Sequence, residues 1–280
     1  MTATVGVAFT EIADRVYVLR QPLLDVNVTL VVGDGGALVV DTLSTAGQAA
    51  ELLAAVRGLT TDPLVVVNTH HHFDHCFGNA ALAAAGPVAI YAHEETARLL
   101  REQPALVRRQ AYDEVLPADP GLAAELARTT VLAPTHPVRQ EASLDVGGRA
   151  VLLRHLGRGH TEGDLVVQVP DADVLVAGDL IEQSGPPAFE DAFPLEWVET
   201  VAELLRCLTP GTVVVPGHGT VVDTEFVRVQ HDDLATMSWL IRNGDADRAP
   251  AERVAQRTPF GPEAGLAAVQ RGYAELRGDA

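Results

Sequence analysis

The sequence predicts a mixed α/β fold in which buried strands deliver metal-ligating side chains. Three observations carry that expectation. Short β-branched runs such as Leu64-Val65-Val66-Val67, Val174-Leu175-Val176-Ala177 and Val213-Val214-Val215 are bounded by turn-forming residues and read as buried strands. Segments with helical apolar spacing lie between them. Several strands run into histidine or aspartate beside glycine, above all at Thr69-His70-His71-His72-Phe73-Asp74-His75, which packs four potential ligands into six residues.

Taken in order, strands are expected near Val5 to Phe9, Val16 to Arg20, Val28 to Val32 and Ala37 to Val40. Residues 44–58 read as a helix, with Ala49, Leu52, Leu53 and Val56 on one face and Ser44 or Thr45 as N-cap. After the strand at 63–67, extended geometry persisting to residue 72 would send His70 and His72 to one side and His71 to the other. His71 is therefore read as structural. Asp74 and His75 fall where the chain turns into a helix, from which they can approach a second point close to the first. Residues 102–140 form a long insert with helical patches and several prolines. Strands at Ala150 to His155 and Leu165 to Val169 flank Gly159-His160-Thr161-Glu162-Gly163-Asp164. Two further strands end in Gly178-Asp179 and Pro216-Gly217-His218-Gly219, where glycine lets the backbone come close. Helices are expected at Leu195 to Leu208, Thr224 to Asn243, Ala251 to Arg257 and Glu263 to Leu276, the last two separated by the breakers Pro259, Gly261 and Pro262.

Imidazole nitrogen and carboxylate oxygen together favour zinc, iron or manganese, and the absence of cysteine from the set argues against a purely structural thiolate zinc. The run H-x-H-x-D-H at 70–75, followed in order by G-H-T at 159–161, A-G-D at 177–179 and P-G-H-G at 216–219, resembles the metallo-β-lactamase superfamily from about Val16 to His218. The resemblance implies a four-layer αββα sandwich, here one domain over 1–280 with C-terminal helices from about 224 to 276. It implies that His70, His72 and His160 hold one divalent metal and Asp74, His75 and His218 a second, bridged by Asp179, most often two zinc ions, with iron or manganese as alternatives. Asp41 matches the family's early aspartate, which supports the ligand loop, and Asp164 is a further supporting candidate for orienting ligands.

Such a centre implies hydrolysis. Two cations lower the pKa of a bridging water from about 15.7 towards about 7, and one of them can polarise a carbonyl. Asp74 is then also a candidate for accepting or relaying a proton, while Ser184 and Cys76 need no catalytic part. The carboxylate at 179 stands where β-lactamases of this fold usually carry cysteine or serine, which favours small esters, thioesters or lactones over β-lactams. Glu182 stands where well-known acyl-homoserine lactonases have tyrosine. Glyoxalase II relatives bind glutathione through basic residues that include lysines, and this chain has no lysine. The alternatives are a mononuclear iron oxidoreductase of the persulfide dioxygenase type, a β-lactam hydrolase, and a binding protein without catalysis.

The loop leaving Asp179 should border the site, so Phe189, Phe193 and Trp197 are candidates for an apolar substrate wall. His93, His136, His155 and His231 read as surface or capping residues. A formal charge of −18 repels polyanions, so nucleic acid is not an expected partner and a small molecule is. Two cysteines give no disulfide framework. Met1 to Glu11 lacks a signal-peptide pattern and no run reaches a membrane span, so a cytoplasmic location is expected. Oligomeric state has no signature in the sequence.

Overall fold

The β-branched runs, buried on both faces, build two sheets packed face to face. The computed structural model describes residues 8–279, so most of the strand expected at Val5 to Phe9 lies outside the described residues. The first sheet runs in the order β1 (Thr10–Ala13), β2 (Val16–Gln21), β3 (Val26–Val32), β4 (Ala37–Val40), β5 (Leu64–Val67), β6 (Ala89–His93) and β7 (His136–Val138). The second runs β8 (Glu141–Val146), β9 (Arg149–Arg154), β10 (Val166–Val169), β11 (Val174–Glu182) and β12 (Val213–His218). A single pair, Val26 of β3 with His218 of β12, joins the two halves.

The period-2 rule decides which residue faces which layer. Leu38, Val40 and Val67 of the first sheet pack on Val151, Leu153, Val167, Val174, Val176 and Val215 of the second. The intervening Leu30, Val39 and Val66 turn outward onto helix α1 (Ala46–Arg57). On the other side Leu175, Ala177 and Val214 turn outward onto a helical layer. The result is the αββα sandwich.

Helix α1 begins at Thr45, whose hydroxyl accepts from the Gln48 amide at 3.2 Å. Of its four periodic positions, Ala49, Leu52 and Val56 are buried and Leu53 is half-buried. The chain then forms the short α2 (Phe73–Cys76) and α3 (Asn79–Ala84) before β6, and α4 (Glu94–Glu102) after it. The long insert folds as α5 (Pro104–Val115) and α6 (Pro120–Leu126), and ends in edge strand β7. Its apolar side, including Val107, Ala111, Leu122 and Leu126, packs on Phe73 and Phe77 around α2. The insert thus backs the turn that carries Asp74 and His75.

The outer layer of the second sheet consists of α7 (Trp197–Arg206), α8 (Thr224–Ala246), the short α9 (Ala251–Ala255) and α10 (Pro262–Arg277). Leu234, Met237 and Ile241 of α8 and Ala268 and Val269 of α10 join its core. Proline opens α5, α6 and α10 at the first turn, where its missing N–H costs nothing. Pro262, expected as a breaker between helices, is therefore the first residue of α10. Trp239 is 58% exposed and does not pack in this layer. Among the described residues no helix is long and apolar enough to cross a membrane.

Leu52 is wholly buried between α1 and the first sheet. Leu52→Ala should lower the unfolding free energy by about 2–5 kcal/mol, read from urea denaturation, and Leu53→Ala by clearly less.

Candidate metal centre

Strand polarity gathers the candidate ligands. β4 and β5 run parallel, β11 and β12 run parallel, and β3 lies antiparallel to both β4 and β12. The C-terminal ends of all four parallel strands therefore meet at one end of the sandwich. Asp41 directly follows β4, residues 68–75 follow β5, Asp179 lies near the end of β11 and His218 closes β12. His160 arrives on the loop between β9 and β10.

Two groups form there. His70, His72, His160 and Asp179 each offer one ligand atom, all within 4.8 Å of one another, and so do Asp74, His75 and His218. Asp179 lies between the groups: its Oδ2 is 3.6 Å from His70 Nε2, 3.4 Å from His160 Nε2 and 3.3 Å from His218 Nε2, and its Oδ1 is 3.1 Å from His75 Nε2. Asp74 Oδ2 is 3.4 Å from His218 Nε2 and 3.6 Å from His75 Nε2. His72 turns Nδ1 inward, 2.8 Å from His160 Nε2. His70 Nε2 and Asp179 Oδ1 are buried without a hydrogen-bond partner. Orphaned ligand atoms on imidazole and carboxylate, converging from four chain segments, are the arrangement a divalent cation fits.

The supporting contacts fix ring orientation. Asp41 Oδ2 is 2.8 Å from His75 Nδ1 and accepts from the Thr69 hydroxyl at 2.8 Å, while its Oδ1 accepts from the Thr69 amide at 2.8 Å. Thr69 Oγ1 in turn lies 3.0 Å from His70 Nδ1. Asp41 has φ +67°, a left-handed conformation that aspartate tolerates better than most residues. His218 Nδ1 donates to the Leu24 carbonyl at 2.7 Å. Gly217 passes so close to Asp179 that a Cβ there would overlap its Oδ1.

Burial opposes charge on every ring of the centre. At His70 and His160 it prevails, and His160 is pushed down to about 4. At His72 the carboxylates, led by Asp191, outweigh burial and hold the ring at about 9. At His218, Asp179 and Asp74 do the same and hold it at about 10. His75 is likewise raised, chiefly by Asp179 against its burial. Burial would raise Asp179, yet the surrounding rings hold it well below the usual carboxylate range. This is a field that favours positive charge.

Several expectations need correction. The strand stops at Val67 and residues 70–71 form a bend, so the inward orientation of His70 and His72 comes from loop geometry rather than strand alternation. Asp164 does not orient a ligand ring: it accepts from the amide and hydroxyl of Thr161, which caps the turn behind His160, and His160 Nδ1 has no partner. Burial pushes Asp164 up to about 7 against those bonds. Phe189, Phe193 and Trp197 do not form a substrate wall. They are 1%, 7% and 0% exposed, because the loop after β11 folds back beneath the helical layer. Trp197 Nε1 donates to the Leu180 carbonyl at 3.2 Å, and its ring stands 5.7 Å from that of His160. His93 does cap α4, accepting from the Glu95 amide, but it is buried and stacked on His155 at 4.0 Å.

Two residues join the centre that were not expected to contact a ligand: Asp191, which carried no expectation, and Glu182, noted only for standing where lactonases have tyrosine. Asp191 Oδ2 lies 3.2 Å from His72 Nε2 and 3.2 Å from His71 Nε2, so it holds His72 from the side opposite Nδ1. Arg271 of α10 fixes that loop by donating to the carbonyls of Ala192 at 3.0 Å and Asp191 at 3.4 Å. Glu182 Oε1 is 3.9 Å from His218 Nε2, and burial beside Asp179 raises its pKa well above the usual range. For Asp191 the hint in the sequence is that it lies within twelve residues of Asp179. Cys76 is buried with its thiol pushed well up, so it is no nucleophile.

The profile described as the metallo-beta-lactamase superfamily matches residues 22–218, a span that includes every one of these candidate ligands. The chain belongs to the metallo-β-lactamase superfamily. Among curated relatives, an acyl-coenzyme A thioesterase of Gallus gallus, MBLAC2, is 28% identical over 69% of this chain and 72% of its own. A type 2 metallo-beta-lactamase of Bacillus sp. (strain 170) is 28% identical over 56% of this chain. That match spans only about half of the Bacillus protein, 52%. Among solved structures, a metallo-beta-lactamase from Pontibacter korlensis superposes with a TM-score of 0.67 at 22% identity, over 82% of this chain and 99% of its own, a likeness of fold. The superfamily match ends at His218, so α8 to α10 lie beyond it.

Gly217→Ala should displace the Asp179 carboxylate, and we expect metal content measured by plasma mass spectrometry to fall while the circular dichroism spectrum stays that of the wild type. Asp191→Asn keeps an acceptor but removes the charge behind His72. Metal retention in chelator competition should weaken by about 10–100-fold, the usual effect of losing a partner of a ligating histidine.

Proposed function

We propose that the protein is a dinuclear metallohydrolase of small esters, thioesters or lactones. The observation that carries this reading is the convergence of seven ligand atoms on two adjacent points, with His70 Nε2 and Asp179 Oδ1 buried and unpartnered. His70, His72 and His160 would hold one cation, Asp74, His75 and His218 the other, and Asp179 would face both. Zinc suits a donor set rich in imidazole. Bound there, two divalent cations would supply a nucleophile from water at neutral pH and polarise the substrate carbonyl.

The chain's own residues supply position and proton control. Asp41 and Thr69 keep His75 and His70 in fixed orientations, so little rearrangement accompanies binding. Asp74, 10% exposed on its side chain and close to His75 and His218, is the group placed to accept a proton from the attacking water. Asp179 is a carboxylate, which supports ester and thioester chemistry over β-lactam cleavage. The relatives include both a thioesterase and β-lactamases, so kinship does not choose between them. The partner is a small molecule, since 38 acidic against 20 basic residues oppose nucleic acid.

Protein as purified should contain about two zinc ions per chain, and chelation should abolish hydrolysis of a model thioester or lactone until zinc is restored. Asp74→Ala should lose turnover and the second metal together. About one iron per chain with oxygen consumption would instead indicate the iron oxidoreductase.

A further inference from the structure

Glu182 links the metal centre to a cleft that the hydrolase reading does not use. The end of β11 is clamped by Gln230 of α8, which donates to the Leu180 carbonyl at 2.9 Å and accepts from the Glu182 amide at 3.0 Å. The Glu182 backbone is thereby fixed, but its carboxyl has no hydrogen-bond partner among the described residues. That side chain is 9% exposed, with Oε1 3.9 Å from His218 Nε2. It also lines a cleft of about 360 Å³ between the loop after β11 and the corner of α8 with residues 259–260. The carboxyl therefore borders the candidate ligands Asp179 and His218 on one side and the cleft on the other, where it is free to accept a hydrogen bond from a bound molecule.

The rest of the cleft says what that partner carries. Pro186, Phe226, Val229 and Phe260 give it apolar walls, and Asp233 adds a second acid. No arginine lines it, and the chain has no lysine. Around the other side of the centre the charged neighbours of exposed Glu114 are His72 and the acids Asp74, Glu190 and Asp191. On that side Arg158 pairs with Glu196, and Arg271 bonds loop carbonyls.

We propose that this cleft is the substrate-selecting pocket, taking an apolar group that is uncharged or cationic and presents an N–H or O–H donor to Glu182. The inference rests on the hydrolase reading and deepens it. Charged or protonated, Glu182 offers no positive charge, so the pocket opposes thioesters carried on a polyphosphate such as coenzyme A. In this respect the chain would differ in carrier from its thioesterase relatives.

Two measurements on the zinc-loaded protein test it. In titration calorimetry with matched probes, octylammonium should bind at least about tenfold more tightly than octyl sulfate, with the gap closing in high salt. Phe226→Trp, which fills the cleft, should abolish the cation's binding without changing metal content. Equal or tighter binding of octyl sulfate, or unchanged binding by Phe226→Trp, overturns the proposal. In steady-state kinetics, the same octanoyl group should be hydrolysed with higher kcat/KM from N-acetylcysteamine than from coenzyme A. Asp233→Lys should narrow that ratio by lowering KM for the coenzyme A thioester. A coenzyme A thioester turned over as well as the neutral one overturns the proposal. If cation-selective binding holds but the metal-loaded protein hydrolyses no ester, thioester or lactone, the hydrolase reading falls and the pocket stands.

Discussion

Burying Asp41, Asp74 and Asp179 with five imidazole rings at the shared end of two sheets is the constraint around which the rest of the molecule is arranged. Each carboxylate taken out of water carries a large desolvation cost, and mutual repulsion adds to it. The rings answer part of that cost, which is why His72 and His218 hold their protons to about 9 and 10. Cations answer it better, because they satisfy several carboxylate and imidazole lone pairs at one point. A folded chain that gathers such a group without hydrophobic replacement has its stability and its chemistry tied to what it binds there.

The same constraint explains the local strain. Asp41 and Leu43 both adopt left-handed φ angles near +67°, at the bend where β4 ends. A bulky leucine does not adopt that conformation without cause. The bend turns the Asp41 carboxylate back onto Thr69 and His75, and Gly178, at φ +55°, lets β11 pass against Thr69. Thr69 is held from both sheets' strands, so the ligand loop has a fixed origin although no regular strand extends into it.

What was legible in the sequence follows from how local each signal is. Strand ends carrying histidine or aspartate beside glycine are written in consecutive residues, and the α1 face is written in a four-residue period, so both could be read. The inward aim of His70 and His72 was expected from strand alternation, but a bend sets it, and a bend of this kind has no period to reveal it. Asp191 and His72 are 119 residues apart, and their contact depends on where α10 holds a loop. Phe189 and Trp197 follow Asp179 closely in sequence, yet the chain reverses between them and the ligand. Proximity along the chain could not show which side of β11 the aromatic rings would choose, whereas their size favoured the helical layer.

The helices beyond His218 are more than a cover for the second sheet. Gln230 of α8 clamps the end of β11 three residues past Asp179, Arg271 of α10 ties the loop that carries Asp191, and Glu275 accepts from the Leu195 amide at 3.0 Å where α7 begins. Each contact lands on the single stretch from 180 to 196, which connects the Asp179 carboxylate to the partner of His72. A displacement of α8 or α10 relative to the sandwich would therefore be felt at both candidate metal positions, through Asp179 on one path and Asp191 on the other. The superfamily sandwich brings the ligands together, and the segment outside that match sets how the loop between them lies.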